Sequence, residues 1–147
     1  MNKQKTNKLL RYLTDFKELK EINTLVGAII IDEMDRTDVV DNIDIKKNFK
    51  VLEVDEDDPN DILCNLVKCI ISSEDVVLDI IEKIPSQLLE QLENLKNNLI
   101  NVQLEDEELP TVIYPVPESF KIILLISNDY FENNELDNLI ISSCKIG

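Results

Sequence analysis

Apolar residues come in short blocks along this chain, and the clearest succession of blocks runs from Phe49 to Ile81. Phe49 to Val54 is an apolar-rich run suited to a buried strand, and it stops at Asp55-Glu56-Asp57-Asp58, which Pro59 follows. A helix is expected from there. Asp58 is a good N-cap, Pro59 fits the first helical position, and Asp61 puts negative charge in the first turn, where the helix dipole favours it. Ile62, Leu63, Leu66, Val67, Ile70 and Ile71 then recur at helical spacing, so one stripe of the helix has to be buried. Ser72 to Asp75 breaks the pattern. Val76 to Ile81 is mostly β-branched and apolar, as a strand covered on both faces requires. The unit is strand, helix, strand, with an acidic first turn.

The flanking blocks extend the alternation. Lys3 to Lys20 carries Leu9, Leu10, Leu13 and Phe16 on one side and predicts an amphipathic first helix. Ile22 to Val26 suits a short strand, with Gly27 marking a backbone junction after it. Ala28 to Val40 fits two patterns: Ile29-Ile30-Ile31 suits a strand, while Ile30, Met34 and the flanking acids suit a helix, and the helix is the preferred reading. Asp41 to Asn48 reads as a polar connection. Ile84-Pro85-Ser86 leads into Leu88, Leu89, Leu92, Leu95 and Leu99 at helical spacing. A second acidic cluster, Glu105-Asp106-Glu107-Glu108, opens a loop that Pro110, Pro115 and Pro117 keep out of any central strand. Phe120 to Ile126 is the last buried strand, Ser127 to Asn134 a polar turn, and Leu136, Leu139, Ile140 and Cys144 a closing helix. The expectation is one domain over 1–147, an α/β/α sandwich with a central mixed sheet of about four to five strands.

Composition narrows the class and charge narrows the partner. A chain of 147 residues with 44% hydrophobic and 31% charged content can build one ordinary core. No apolar run approaches a membrane span and no signal-peptide core follows the Lys-rich start, so an intracellular protein, cytoplasmic or nuclear, is expected. Thirty acids against 15 bases give a formal charge of −15. Such a chain repels nucleic acid and is attracted to basic protein surfaces, where charge raises the encounter rate. Cys64, Cys69 and Cys144 sit in apolar patterns in a chain without histidine, and read as reduced packing residues.

Candidate chemistry is sparse. Ile29-Ile30-Ile31-Asp32-Glu33 has the apolar-strand-plus-acids form that holds magnesium in nucleotide hydrolases. Such a site also needs a glycine-rich phosphate loop, and the only glycines are Gly27 and Gly147. Histidine-dependent catalysis is excluded, and no cysteine lies in a setting that activates a thiolate. Asp55 to Asp58 lacks the alternation and turn glycine of a calcium loop. No catalytic residue, cofactor or metal site is therefore assigned. The apolar stripe Ile62, Leu63, Leu66, Val67 and Ile70 is wide enough to cover the sheet and leave an edge for a second copy, or to be buried by the sheet altogether.

The order of elements resembles the growth-arrest-and-DNA-damage-inducible stress-sensor proteins. Phe49 to Asp58, Asp61 to Cys69 and Glu74 to Ile81 follow that family's succession of strand, acidic loop, helix and strand. Phe120 to Asn128, with Leu136 to Cys144 beyond, is similar to its last strand and helix. Such proteins belong to a wider fold group with the kink-turn RNA binders and related ribosomal proteins. The resemblance implies a non-enzymatic adaptor that binds kinases, cell-cycle or repair proteins through acidic loops. Those loops would be Asp55, Glu56, Asp57 and Asp58 and then Glu105, Asp106, Glu107 and Glu108, with self-association through the helix Asp61 to Ile71. The family's paired cysteines at the end of that helix are Ile71-Ser72 here, and Gly27 leads into Ala28-Ile29-Ile30-Ile31 rather than the polar and basic residues of RNA-binding relatives. The expected function is an acidic protein-binding adaptor. Its rival is an acidic inhibitor or immunity-type protein that caps the basic groove of a nuclease or other nucleic-acid-binding protein.

Overall fold

The computed structural model describes residues 10–14, 17–18, 26–46, 49–54, 59–95, 99–102, 112–117 and 119–133. Residues 10–14 are helical (α1). They are followed by β1 (Val26–Ile31), a 3₁₀ turn (Glu33–Asp35), α2 (Arg36–Lys46), β2 (Lys50–Val54), α3 (Pro59–Ile71) and β3 (Val76–Ile80). Then come α4 (Ser86–Leu95), β4 (Leu99–Val102), β5 (Val112–Pro115), β6 (Ile122–Ser127) and α5 (Asn128–Asn133). Four strands form one sheet in the order β1-β6-β3-β2, and every pair in it is parallel. The expected strand number holds, but the sheet is parallel rather than mixed. The antiparallel pairing is confined to a separate ribbon of β4 and β5.

A sheet of parallel strands needs cover on both faces, and two core clusters supply it. Leu52, Val54, Leu78, Ile80, Leu124 and Ile126 pack with the apolar faces of α3 and α4 on one side. Val77, Ile123, Leu125, Ile29 and Ile31 pack with Tyr12 of α1 and Val39 and Ile43 of α2 on the other. The two faces follow from strand order. The chain crosses from β1 to the far edge strand β2 through α2, then steps back through α3 and α4. Crossovers of one hand running in opposite directions must lie on opposite faces.

The strand-helix-strand unit from Phe49 to Ile81 stands as expected, as does the helix at Ser86–Leu95. The end of α3 is closed without glycine: Ser73 adopts φ 59°, Glu74 N–H donates to the Cys69 carbonyl (2.9 Å) and Ser73 N–H to that of Ile70 (3.2 Å). Asp75 clips the start of the sheet. Its carbonyl accepts from Lys50 N–H (2.8 Å) and its carboxylate from Lys121 N–H (2.9 Å).

Six further expectations are corrected. Residues 28–31 belong to β1 and not to a helix, because a run with Ala28 and Ile29 wholly buried is covered on both faces, whereas a helix would expose one side. Gly27 lies inside that strand, with Ile123 as its register partner. Residues 41–46 continue α2 instead of forming a polar connection, and 128–133 form α5, capped by Ser127 Oγ, which accepts from Tyr130 N–H (3.2 Å). Leu99 begins β4 rather than extending α4, and Val112–Pro115 is its ribbon partner within the expected loop. The prolines do keep that stretch off the central sheet. Most of the expected first helix, residues 22–25 and the closing helix at 136–144 lie outside the described residues.

Candidate functional site

In a parallel sheet joined by crossovers, every strand leaves at the same edge and every following helix begins there. This carboxyl edge carries the ends of β1, β6, β3 and β2 and the N-termini of α2 to α5. The connection from β1 goes to the face covered by α2 and the connection from β3 to the face covered by α4, so the exits from this edge diverge to opposite faces. In open α/β sheets such a point is where ligands bind.

Here the chain's own side chains are bonded across this point. Asp79 alternates with Val77 onto the α2 face of β3, with Glu53 and Leu125 as register neighbours. A carboxylate in a strand buried on both faces needs a charged partner. Arg36, at the start of α2, provides it: Nη1 donates to Asp79 Oδ1, while Nε and Nη2 donate in a fork to Glu33 Oε1 (2.9 Å) and Oε2 (3.0 Å). The Arg36 and Asp79 side chains are each 9% exposed, whereas that of Glu33 is 53% exposed. Burial lowers the Arg36 pKa, but the hydrogen bond to Glu33 and the charge of Asp79 outweigh it, so the guanidinium is held more firmly charged than usual. Two tyrosine hydroxyls take up backbone donors at the same edge. Tyr12 accepts from Asp32 N–H and Tyr130 from Ile84 N–H, both at 3.3 Å.

Around this ion pair the edge is acidic. Glu33, Glu53, Asp61, Glu82 and Asp129 are exposed there, together with the base Lys83. Asp61 and Asp129 stand in first helical turns, where the dipole stabilises them. The amino edge is balanced, with exposed Lys50 and Lys68 beside Glu74 and Glu93. Among the described residues no group of three or more His, Cys, Asp or Glu could hold a metal, and no helix is long and apolar enough to cross a membrane. Burial, and then the Glu74 carboxylate, raise the Cys69 thiol above its ordinary value, with Lys50 offsetting part, so it stays protonated.

The two acidic clusters, Asp55 to Asp58 and Glu105 to Glu108, lie outside the described residues; β2 ends at Val54 and leads directly into the first. The self-association stripe has a definite place. Ile62, Leu63, Leu66, Val67 and Ile70 are between 0% and 6% exposed in the core under α3. The sheet takes up the whole stripe, and the exposed apolar residue of α3 is Ile71. Sequence reasoning did not find Arg36, Asp79 or the outward position of Met34. A charged residue in the apolar run Val76 to Ile81 was the available signal for Asp79. No protein-family model matches the chain, and no curated protein matches its sequence.

Proposed function

We propose that this protein is a non-enzymatic acidic binding module whose carboxyl edge engages a basic surface of a partner protein. The observation that carries the reading is the separation of exposed charge between the two edges of the sheet. Acids gather at the carboxyl edge while the amino edge is mixed, in a chain whose formal charge is −15. A predominantly acidic edge on a packed sheet steers an oppositely charged partner and fixes its orientation. The internal ion pair supports the same reading, because Arg36 and Asp79 neutralise each other where a small ligand would otherwise enter. The resemblance to the stress-sensor family points to a kinase, cell-cycle or repair protein as partner. An inhibitor that caps the basic groove of a nuclease would use the same edge.

Capture from the native host followed by carboxylate-to-lysine crosslinking tests the proposal. Crosslinks from Glu53, Glu82 and Asp129 to one basic protein are expected. Capture should be lost in the triple variant Glu53→Gln, Glu82→Gln, Asp129→Asn and kept in the amino-edge control Glu74→Gln, Glu93→Gln. Equal capture by both variants, or turnover of a nucleotide by the purified protein, would overturn it. A captured kinase favours the adaptor and a captured nuclease the inhibitor.

A further inference from the structure

The carboxyl edge is acidic, but it is not only acidic. Met34, in the 3₁₀ turn after β1, is 85% exposed, and Ile81, just after β3, is 39% exposed. Single exposed apolar residues are ordinary on protein surfaces. These two are held together by the fold: Arg36, two residues after Met34, is bonded to Asp79, two residues before Ile81. The strands they follow flank β6, which sets the strand ends about 10 Å apart, two inter-strand spacings. Exposed Glu33 and Glu82 are their immediate neighbours in the chain, and Glu53 and Asp129 lie at the same edge.

Resting on the reading of this edge as a binding face, we infer that Met34 and Ile81 are apolar anchors within it, and that the occupant is a basic amphipathic segment of a partner protein. Such a segment carries Lys or Arg for the acidic rim and a large apolar side chain for the centre. An edge of acids alone would recognise any polycation. Apolar contacts at its centre add a requirement that charge cannot supply, and interface energy concentrates in buried central anchors surrounded by a polar rim. The Arg36–Asp79 bond assists, because it ties together the two segments that carry the anchors.

The chain has two methionines, Met1 and Met34, so labelling methionine methyl groups with carbon-13 makes Met34 a direct probe. Two peptides of equal charge are titrated at low salt, an amphipathic Lys/Leu peptide and a Lys/Gln control. The Met34 methyl resonance is expected to shift with the Lys/Leu peptide and to stay in place with the control. Met34→Gln should weaken the Lys/Leu peptide about tenfold and leave the control unchanged. If both peptides bind equally and Met34 is silent, or only Met1 responds, the anchors are refuted while the acidic edge stands. If neither peptide binds, the edge itself is refuted as well.

Discussion

Asp79 is the residue on which the carboxyl edge depends. A lone carboxylate in a strand covered on both faces is costly, and removing its partner costs more than removing both. Arg36→Met should therefore lower stability by about 3 kcal/mol, and the double variant Arg36→Met, Asp79→Leu should recover most of that loss. Urea unfolding of the wild type, the Arg36→Met and Asp79→Leu single variants and the double variant checks this, and a double variant no better than Arg36→Met alone would show that the pair is not coupled. The Ser73 backbone, at φ 59°, is a smaller and independent case: Ser73→Gly should raise stability by about 1 kcal/mol, read from the same unfolding curves. The raised Cys69 thiol gives a pH dependence of definite sign. Its contribution is fully present while the unfolded thiol is protonated and falls as pH rises past the ordinary value of about 8.5 toward the folded one. Alkaline titration of stability should decline less in Cys69→Ala. At this scale the sequence displayed Asp79 as a charge in an apolar run but not its partner, because Arg36 stands 43 residues away and only the crossover brings it back.

Elements were legible where one of them carries a full apolar period. The stripe of α3 and the leucines of α4 announce themselves, and the helices bury them except for Ile71, which is exposed, and Leu89, which is partly buried. The second half of α2 does not: among its described side chains Val39 and Ile43 are the buried apolar ones, and Asp41 to Asn48 reads as a polar connection. The strand β1 was obscured by the same economy: Ile29-Ile30-Ile31 has no alternation because both faces are covered, and the acids beyond it mimic a helical start. The orientation of α3 makes a sharp prediction. Leu66, fully buried, should cost about 3 kcal/mol on change to alanine, whereas Ile71, 67% exposed, should change stability by less than about 0.5 kcal/mol. A large, concentration-dependent loss for Ile71→Ala would mean that a second copy covers it.

For the molecule as a whole, the strand-helix alternation and the net charge were plain in the sequence, while the placement of charge was not. Which acids share an edge depends on all four strands being parallel, since parallel strands deliver Glu33, Glu82 and Asp129 to one end from segments far apart in the chain. Salt screens attraction between exposed charges, so association with a partner at this shared edge depends on ionic strength. The rate of association with the captured basic partner should be measured from about 50 to 500 mM salt, for the wild type and for the variant Glu53→Gln, Glu82→Gln, Asp129→Asn. The wild-type rate should fall about tenfold or more across this range, and the variant should start slower and fall with a clearly shallower slope. Identical slopes for the two proteins would contradict the assignment of the carboxyl edge as the binding face.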